Sequence, residues 1–421
     1  MGATDARDPI GYWELIRGNT NFRFLWFGQI VSLLGDWFNL IASASLVAAL
    51  TRSGFAVGSL FIVRMLAHFL ASPIAGVVAD RYNRKHILIV TDIARAVTVC
   101  GFLLVREPGH VWLLYTLTAI QLALSGFFFP ARTAILPDIV PPRGVGAANA
   151  ITSATWSVML ALGAAIGGLV SGTWGVYPAF AIDALTFVLS ALLLAQIKWD
   201  AKPGLAGTDG TLTTVLNQYL DGLRYLCRHA DIGLVVLHKA AMALLFASAF
   251  EVVQVAISKE VFAIGVGGNL GLGLLFGTVG VGTGVGPIVA RYFTKDRIRA
   301  LGLTLILGYC LASLGMFVIS FLSSFPTVLL GTLLRGFGSG IIWVFSTQLL
   351  LQLVPDHIRG RVFASEFALF TLLGSIGIAL AGHALDAGFG IAGLVRWMAG
   401  LILVPAVLWT LWTLKGLSRQ K

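Results

Sequence analysis

A short polar stretch between two long apolar runs decides the fold of this chain: residues 76–85 read GVVADRYNRK. The runs on either side, residues 57–79 and 87–105, each have about the 20 predominantly apolar residues that a membrane-crossing helix needs. Four residues of the stretch are charged, so the chain leaves the hydrocarbon here. The sequence therefore predicts two membrane helices joined by a tight loop.

The composition of the whole chain agrees with this local prediction. Of its 421 residues, 57% are hydrophobic and only 11% are charged, whereas a soluble domain carries roughly 25% charged residues. So few charges cannot cover the surface of two or three soluble domains, which excludes an ordinary soluble enzyme. Long unbroken apolar runs satisfy their backbone groups as helices, and they lack the alternation of an outer-membrane barrel.

The apolar runs are separated by charged residues and turn residues at eleven places. This pattern predicts an all-α membrane protein with twelve transmembrane helices. The predicted spans are 24–50, 57–79, 87–105, 111–136, 147–172, 177–197, 232–258, 266–293, 300–322, 325–353, 362–386 and 391–414.

The positive charges predict the orientation of these spans. Most loop Lys and Arg residues fall on the side that holds both tails, and four lie at or near the other side: Arg52, Arg106, Lys259 and Arg396. By the positive-inside rule both termini are expected to be cytoplasmic. The net charge of +10 is therefore explained by the loop residues that orient the chain in the membrane, and no nucleic-acid partner is expected. No cleavable signal peptide is predicted, and the three cysteines suggest no disulfide framework.

The longest connection divides the spans into two sets of six. The predicted domains are an N-terminal segment 1–23, a first six-helix bundle 24–197, a linker 198–231 with an amphipathic interfacial helix, a second bundle 232–414 and a tail 415–421. Matches between the halves recur at nearly constant offset, since Gly76, Arg81, Tyr82 and Lys85 align with Gly286, Arg291, Tyr292 and Lys295. Because six is even, the two bundles are expected to be parallel, pseudo-symmetric repeats, an architecture typical of transporters.

The loop 76–85 resembles the G-x-x-x-D-R-x-G-R-[RK] signature of the major facilitator superfamily and departs from it at Asn83, where Gly is usual. Asn also tolerates left-handed backbone angles. Residues 21–26 (NFRFLW), 35–37 (GDW) and 130–132 (PAR) look like the branch of that family that contains enterobactin exporters and macrolide efflux proteins. The resemblance covers essentially the whole chain and implies the major facilitator fold.

The resemblance also implies a conformational latch on the cytoplasmic side. An aspartate at the C-terminal end of its own helix is repelled by the helix dipole, so Asp80 should be compensated either by the N-terminus of another helix or by Arg81 and Arg84. The family implies that the compensation comes from the start of span eleven, near Arg361 to Glu366. The predicted latch residues are Gly76, Asp80, Arg81, Arg84, Lys85 and Glu366.

Ionisable groups inside the spans are functional candidates because each is costly in the membrane. Depth along the helices places Asp36 and Arg64 at nearly the same level, which predicts an ion pair between them. Asp92 and Arg95 are interpreted as a structural pair, Asp183 as an anchor of the bundle, and Lys239 as a snorkelling side chain. By resemblance, spans one, four, seven and ten line a central cavity. The predicted substrate or proton site is Asp36, Arg64, Gln121, Arg335 and Glu251.

Small residues spaced four apart let membrane helices approach closely. Span five carries the sequence GAAIGG over residues 163–168, similar to an antiporter signature but with Ala164 in place of proline. The family implies that spans five and eight meet between the bundles, so the predicted packing residues are Gly163, Gly167, Gly168, Gly273 and Gly277.

These observations predict a proton-coupled exporter of amphiphilic small molecules, of drug or siderophore type, working by alternating access. Catalytic residues, metals and cofactors are not expected, because the seven histidines are scattered and no catalytic motif is recognisable. The expected setting is the cytoplasmic membrane of a bacterium, with a small-molecule substrate, the lipid bilayer as surroundings and a monomeric state. A lipid or lysophospholipid flippase, or an importer, on the same fold stays open, as does a non-transporting membrane sensor.

Overall fold

The structure is a computed structural model and describes residues 10–199, 221, 223–294 and 298–418. No strand occurs in these ranges. The helices are α1 (Tyr12–Gly18), α2 (Thr20–Thr51), α3 (Gly54–Arg81), α4 (Arg84–Phe102), α5 (Val111–Ile139), α6 (Val145–Trp174), α7 (Val176–Ala195), α8 (Ala230–Val261), α9 (Asn269–Thr294), α10 (Ile298–Ile319), α11 (Phe325–Leu353), α12 (Asp356–Asp386) and α13 (Ile391–Ser418).

Within the described ranges, eleven helices are long and apolar enough to cross a membrane. The twelfth predicted span corresponds to α4, whose 19 residues also reach across a hydrocarbon core of about 30 Å at ~1.5 Å per residue. Its charged residues, among them Asp92 and Arg95, explain why apolarity alone does not single it out. The prediction of an all-helical, multi-pass membrane fold is confirmed. The cytoplasmic placement of the termini stays a prediction.

The tight loop after α3 ends in a helix cap. Asn83 lies at φ −60° and ψ 110°, and its side chain accepts a hydrogen bond from the backbone N–H of His86. This is the geometry of an N-cap residue, for which Asn is among the best choices. Asn83 therefore serves as the N-cap of α4 and does not adopt the left-handed backbone angles that Asn tolerates.

The chain divides by contacts into two compact units. Unit 1 comprises Met1–Ser43 and Leu66–Leu212, and unit 2 comprises Ala44–Met65 and Thr213–Lys421. The division falls inside the predicted linker, of which residues 223–228 are helical; most of the predicted interfacial helix lies outside the described residues. The end of α2 and the start of α3 belong to unit 2, so these two helices contribute to both units.

In unit 1, α4 packs against α5 and α7, and α6 approaches α2 through glycine. Added Cβ atoms at Gly163 and Gly167 would lie 2.6 Å from the Trp37 ring and 3.1 Å from the Phe38 ring. These two glycines therefore make room for aromatic side chains of the same unit. All five glycines predicted to pack between the bundles are buried, and their predicted contact between spans five and eight stays a prediction.

In unit 2, glycines hold α11 closely between α9 and α10. A Cβ at Gly282 would lie 2.7 Å from the carbonyl oxygen of Leu333, and one at Gly286 would lie 2.7 Å from that of Phe337. On the other side, a Cβ at Gly331 would lie 2.6 Å from the carbonyl oxygen of Gly315. The high glycine content of α9 thus serves backbone contact with α11 inside unit 2.

Helix α8 is not a uniform α-helix. It contains π-helical segments at Ala243–Ala247 and Ile257–Val261, on either side of an α-helical segment Ala249–Ala256. Such π segments are frequent at functional sites. Glu251 lies on the segment between them.

Candidate functional site

Unit 1 contains a buried group of three acids around one arginine, which we call the Arg95 cluster: Asp36, Asp92, Arg95 and Asp183. The guanidinium Nη2 of Arg95 lies 2.5 Å from Oδ1 of Asp36, and Nη1 lies 3.4 Å from Oδ1 of Asp92. Asp183 interacts with the same guanidinium electrostatically. Three helices, α2, α4 and α7, supply the four residues.

Local sequence explains how these side chains meet. Asp92 and Arg95 are three apart on α4 and therefore share one face of that helix. On α2, Gly35 next to Asp36 has no side chain, and a Cβ there would overlap Oγ1 of Thr186 and Oδ1 of Asp183. The glycine thus lets α7 bring Asp183 against α2.

The Arg95 side chain is held in its orientation by further contacts. Its guanidinium carbon lies 3.9 Å from the centroid of the Phe187 ring, a cation–π distance. Its Nη1 also lies 3.3 Å from the hydroxyl oxygen of Ser32. The planar guanidinium can stack on an aromatic ring and donate hydrogen bonds to several oxygen atoms in its plane, which an ammonium group cannot do.

Asp36 is the accessible member of the cluster. Its side chain is 27% exposed, against 1% for Arg95 and 0% for Asp92. The cluster therefore presents one carboxylate to its surroundings and keeps the rest enclosed.

The predicted pairing of Asp36 with Arg64 would join the two units and stays a prediction. Within unit 1, Asp36 pairs with Arg95, so the interpretation of Arg95 as one half of a structural pair with Asp92 is incomplete. The i, i+3 spacing of Asp92 and Arg95 could have signalled a shared site. Depth along the chain does not tell which face of a helix a residue occupies, and this is why the pairing was missed.

Gln121 on α5 is another polar side chain enclosed in unit 1. It is 1% exposed, and its Oε1 atom has no hydrogen-bond partner among the described residues. Thr118, one turn earlier on the same face, also has a buried hydroxyl without such a partner. A buried acceptor of this kind is costly unless something donates to it.

In unit 2, Glu251 of α8 interacts electrostatically with Arg64 of α3 and Arg335 of α11. Arg335 is 3% exposed, and its guanidinium carbon lies 4.4 Å from the centroid of the Phe250 ring. The glycine contacts of α11 fix the backbone from which Arg335 extends, since a Cβ at Gly315 would overlap the Arg335 backbone nitrogen. The structure thus brings three of the five predicted cavity residues together in unit 2, and it places Asp36 and Gln121 in unit 1.

A second ion pair of unit 2 joins Lys239 and Glu366, with 3.0 Å between Nζ and Oε2. Both side chains are buried, and Nζ lies 4.5 Å from the centroid of the Trp343 ring. The expectation that Lys239 snorkels is wrong, because its ammonium group is buried against Glu366. The role of Glu366 in the predicted latch stays a prediction. Helix α12 begins at Asp356, so Glu366 lies ten residues, or about 15 Å, along it.

The other predicted latch residues lie at the end of α3 and the start of α4. Gly76, Asp80 and Arg81 are helical, but the side chains of Asp80 and Arg81 lie outside what the structure describes. Arg84 donates to the Asp138 carboxylate at 2.8 Å and to the carbonyl oxygen of Ala134 at 2.9 Å. Arg84 thus ties α4 to α5, and Lys85 is half-buried.

Among the described residues, no group of three or more His, Cys, Asp or Glu side chains is arranged to hold a metal ion. What the arrangement offers is acid–base chemistry: carboxylates that can exchange a proton and guanidinium groups that can change partners. Ionisable side chains enclosed among membrane helices commonly mark the pathway of an ion or a solute.

Comparison with known proteins gives the family. The family model described as Major Facilitator Superfamily matches residues 25–382, and the chain belongs to this superfamily. It is a membrane transporter by that membership.

Individual relatives are more distant. The MFS-type transporter YfiS of Bacillus subtilis (strain 168) is 31% identical over 215 residues, which is 51% of each chain. The proposed bacilysin exporter BacE of Bacillus amyloliquefaciens is 23% identical over 386 residues, covering 91% of this chain and 93% of BacE. Among solved structures, the nucleoside transporter NupG superposes with a TM-score of 0.72 at 14% identity, covering 93% of this chain and 98% of NupG. The likeness to NupG shows the fold.

Proposed function

We propose that this transporter is a proton-coupled exporter of amphiphilic small molecules and that the Arg95 cluster is its proton site. The observation that carries the proposal is the charge imbalance of the cluster. Three carboxyl groups face one guanidinium, so the fully ionised cluster has an excess of two negative charges. A charged side chain at the centre of a membrane helix costs at least ~2.5 kcal/mol, and a bound proton removes one of the excess charges.

Asp36 is the residue through which the proton would enter and leave. It is the partly exposed acid of the cluster, and it shares the Arg95 guanidinium with the enclosed Asp92. When Asp36 takes up a proton, its hold on Arg95 weakens and the guanidinium can turn fully towards Asp92 and Asp183. Protonation of one carboxyl is thereby converted into a rearrangement among α2, α4 and α7.

Export as the direction of transport is supported by the relative BacE, whose name proposes bacilysin export. The expected substrate is an amphiphile, and the cytoplasmic membrane of a bacterium is the expected location. Proton influx coupled to substrate exit is the simplest way to drive such export.

The test uses everted membrane vesicles energised by respiration, with ethidium or Hoechst 33342 as the transported probe. The unmodified protein should accumulate probe in the vesicles, and a protonophore should abolish accumulation. Asp36→Asn should reduce accumulation about tenfold or more, because an amide of similar shape keeps a hydrogen bond to Arg95 but cannot carry a proton. Asp231→Asn is the matched control, since Asp231 is an exposed acid in the first turn of α8, and its transport should be unchanged.

Full protonophore-sensitive transport by Asp36→Asn, at equal amounts of protein in the membrane, would remove Asp36 from the mechanism. Transport by the unmodified protein that ignores the protonophore would refute proton coupling itself. The other open functions have their own signatures. A lipid flippase would move fluorescent phospholipid between leaflets, an importer would load right-side-out vesicles, and a sensor would do neither.

A further inference from the structure

The last residue of α12 completes the start of α3 in unit 2. The Asp386 carboxylate accepts hydrogen bonds from the Ser53 hydroxyl at 2.6 Å, from the Gly54 backbone N–H at 2.5 Å and from the Phe55 backbone N–H at 3.1 Å. Ser53 in turn accepts from the backbone N–H of Ala56 at 3.1 Å. We call this set of hydrogen bonds the Asp386 cap.

The Asp386 cap stabilises the C-terminal end of α12 and the N-terminal end of α3 electrostatically. A carboxylate at the C-terminal end of α12 is repelled by the dipole of its own helix, and the N-terminus of α3 attracts it. The first turn of α3 has backbone N–H groups without partners inside the helix. Asp386 takes those of Gly54 and Phe55, and the Ser53 hydroxyl takes that of Ala56.

Below the cap, the two helices run side by side with opposite directions. A Cβ at Gly382 would lie 2.7 Å from the Gly54 carbonyl oxygen, and a Cβ at Gly58 would lie 3.1 Å from Cγ2 of Ile378. The first turns of α3 therefore touch the last turns of α12 without intervening side chains at Gly382. This close fit makes the contact sensitive to any separation of the two helices.

The Asp386 cap lies on the wall of a cavity of about 920 Å³ in unit 2, which Arg52, Val57 and Glu260 also line. Asp386 is exposed, whereas Val57, one turn into α3, is buried. The cap is thus exposed, while Val57, one turn further along α3 at the wall of the same cavity, is shielded from solvent.

We propose that the Asp386 cap is a conformational latch that holds the first turns of α3 on unit 2. Residues 54–65 of α3 belong to unit 2 and the rest of this helix belongs to unit 1, so the hydrogen bonds of the cap fix one part of a helix that the two units share. This inference rests on the proposed alternating-access function, in which the part of α3 that belongs to unit 1 would pull on the capped turns and break the contact once per cycle. The family resemblance implies a second latch, between Asp80 at the other end of α3 and the start of α12. The two helices would then hold each other at one end or the other through the same device, an aspartate at one helix end capping the next helix.

The experiment measures how accessible the buried position Val57, one turn beyond the Asp386 cap, is to a reagent in the surrounding water. In a background with Cys100, Cys227 and Cys310 replaced by serine, a Val57→Cys variant is labelled in intact cells with a membrane-impermeant maleimide, and the labelling rate is recorded. Adding Asp386→Ala should raise the rate about tenfold, within the range that loss of a helix cap allows. Asp386→Asn should give a smaller increase, because its one oxygen acceptor preserves part of the cap.

Two further variants sharpen the result. Ser53→Ala removes one of the three hydrogen bonds to Asp386 and should raise the rate about two- to threefold, and this milder change keeps the test valid if Asp386→Ala fails to fold. Glu260→Gln removes an acidic charge from the same cavity without touching the cap and should leave the rate unchanged.

Unchanged labelling of the Asp386→Ala and Ser53→Ala variants, in folded protein, would overturn the latch. An equal increase with Glu260→Gln would also overturn it, because the effect would then come from the cavity charge alone. The readout needs no substrate and no proton gradient, so its outcome is independent of whether Asp36 couples transport to protons.

Discussion

Replacing Arg95 with methionine is the most direct test of the Arg95 cluster as a unit. Methionine has a similar length and no charge, so Asp36 and Asp92 lose the guanidinium that lies 2.5 and 3.4 Å away. Removing one partner of a buried ion pair costs about 3–5 kcal/mol, because the other charge stays behind. The variant also loses the cation–π contact with Phe187, at 3.9 Å. This loss destabilises the protein further, by up to about 2 kcal/mol for a desolvated contact.

The assay is thermal unfolding of detergent-purified protein, followed by the loss of the monodisperse peak in fluorescence-detected gel filtration. For a unit of this size, 1 kcal/mol corresponds to about 2–4 °C, so Arg95→Met should lower the apparent melting temperature on the order of 10 °C. Arg132→Met is the matched control. Arg132 also packs on an aromatic ring, with 4.9 Å from its guanidinium carbon to the Phe129 centroid. Within the part of the chain that the structure describes, no carboxylate is bonded to Arg132, so its loss should cost only a few degrees.

The double variant Arg95→Met with Asp36→Asn separates the cluster from general packing. If the cost arises from a stranded carboxylate, removing the Asp36 charge should restore about 1.5–3 kcal/mol, the value of a hydrogen bond to a charged group. Equal melting temperatures for Arg95→Met and Arg132→Met would refute the reasoning, as would an additive loss in the double variant.

Two other predictions concern packing and the second ion pair. Gly35→Ala should destabilise the protein by about 1–3 kcal/mol through overpacking against Thr186 and Asp183, and adding Thr186→Ala should recover part of the loss in the same melting assay. Lys239→Met or Glu366→Gln alone should each lower the free energy of unfolding by about 3–5 kcal/mol, because one buried charge stays behind. Replacing both residues with methionine should be nearly neutral. A double variant as unstable as the single ones would show that the residues do more than neutralise each other.

The membrane fold could be predicted from the sequence because hydrocarbon leaves few choices. Apolar runs of the right length must become helices, and the structure places helices at each predicted span. Helix α4 is predicted from the apolar run 87–105, although Asp92 and Arg95 lower its apolarity. Helix ends were harder to locate, since charged residues such as Asp356 lie inside the first turn of α12.

The pairing of the buried charges could not be predicted in the same way. The number of residues from a helix end gives the depth of a side chain in the membrane. The partner of that side chain also depends on which neighbouring helix its face of the helix contacts. Asp36 and Arg64 lie at similar depth, yet the partner of Asp36 within unit 1 is Arg95, because Gly35 lets α7 approach and α4 turns its Arg95 face to the same place. The Asp386 cap was also beyond the sequence, since Ser53 and Asp386 are 333 positions apart.

The two units resolve the cost of buried charge in different ways, and this difference bears on where coupling resides. In unit 2, Lys239 and Glu366 form a one-to-one pair whose charges cancel, so neither residue gains from binding a proton while the pair is intact. In unit 1, the acids outnumber the arginine, and one acid, Asp36, is accessible. A site that is short of positive charge and open at one carboxylate can bind and release a proton without dismantling an ion pair. Neutralising Lys239 and Glu366 together should therefore leave protonophore-sensitive transport in place, whereas Asp36→Asn should remove it. The opposite result would assign coupling to unit 2.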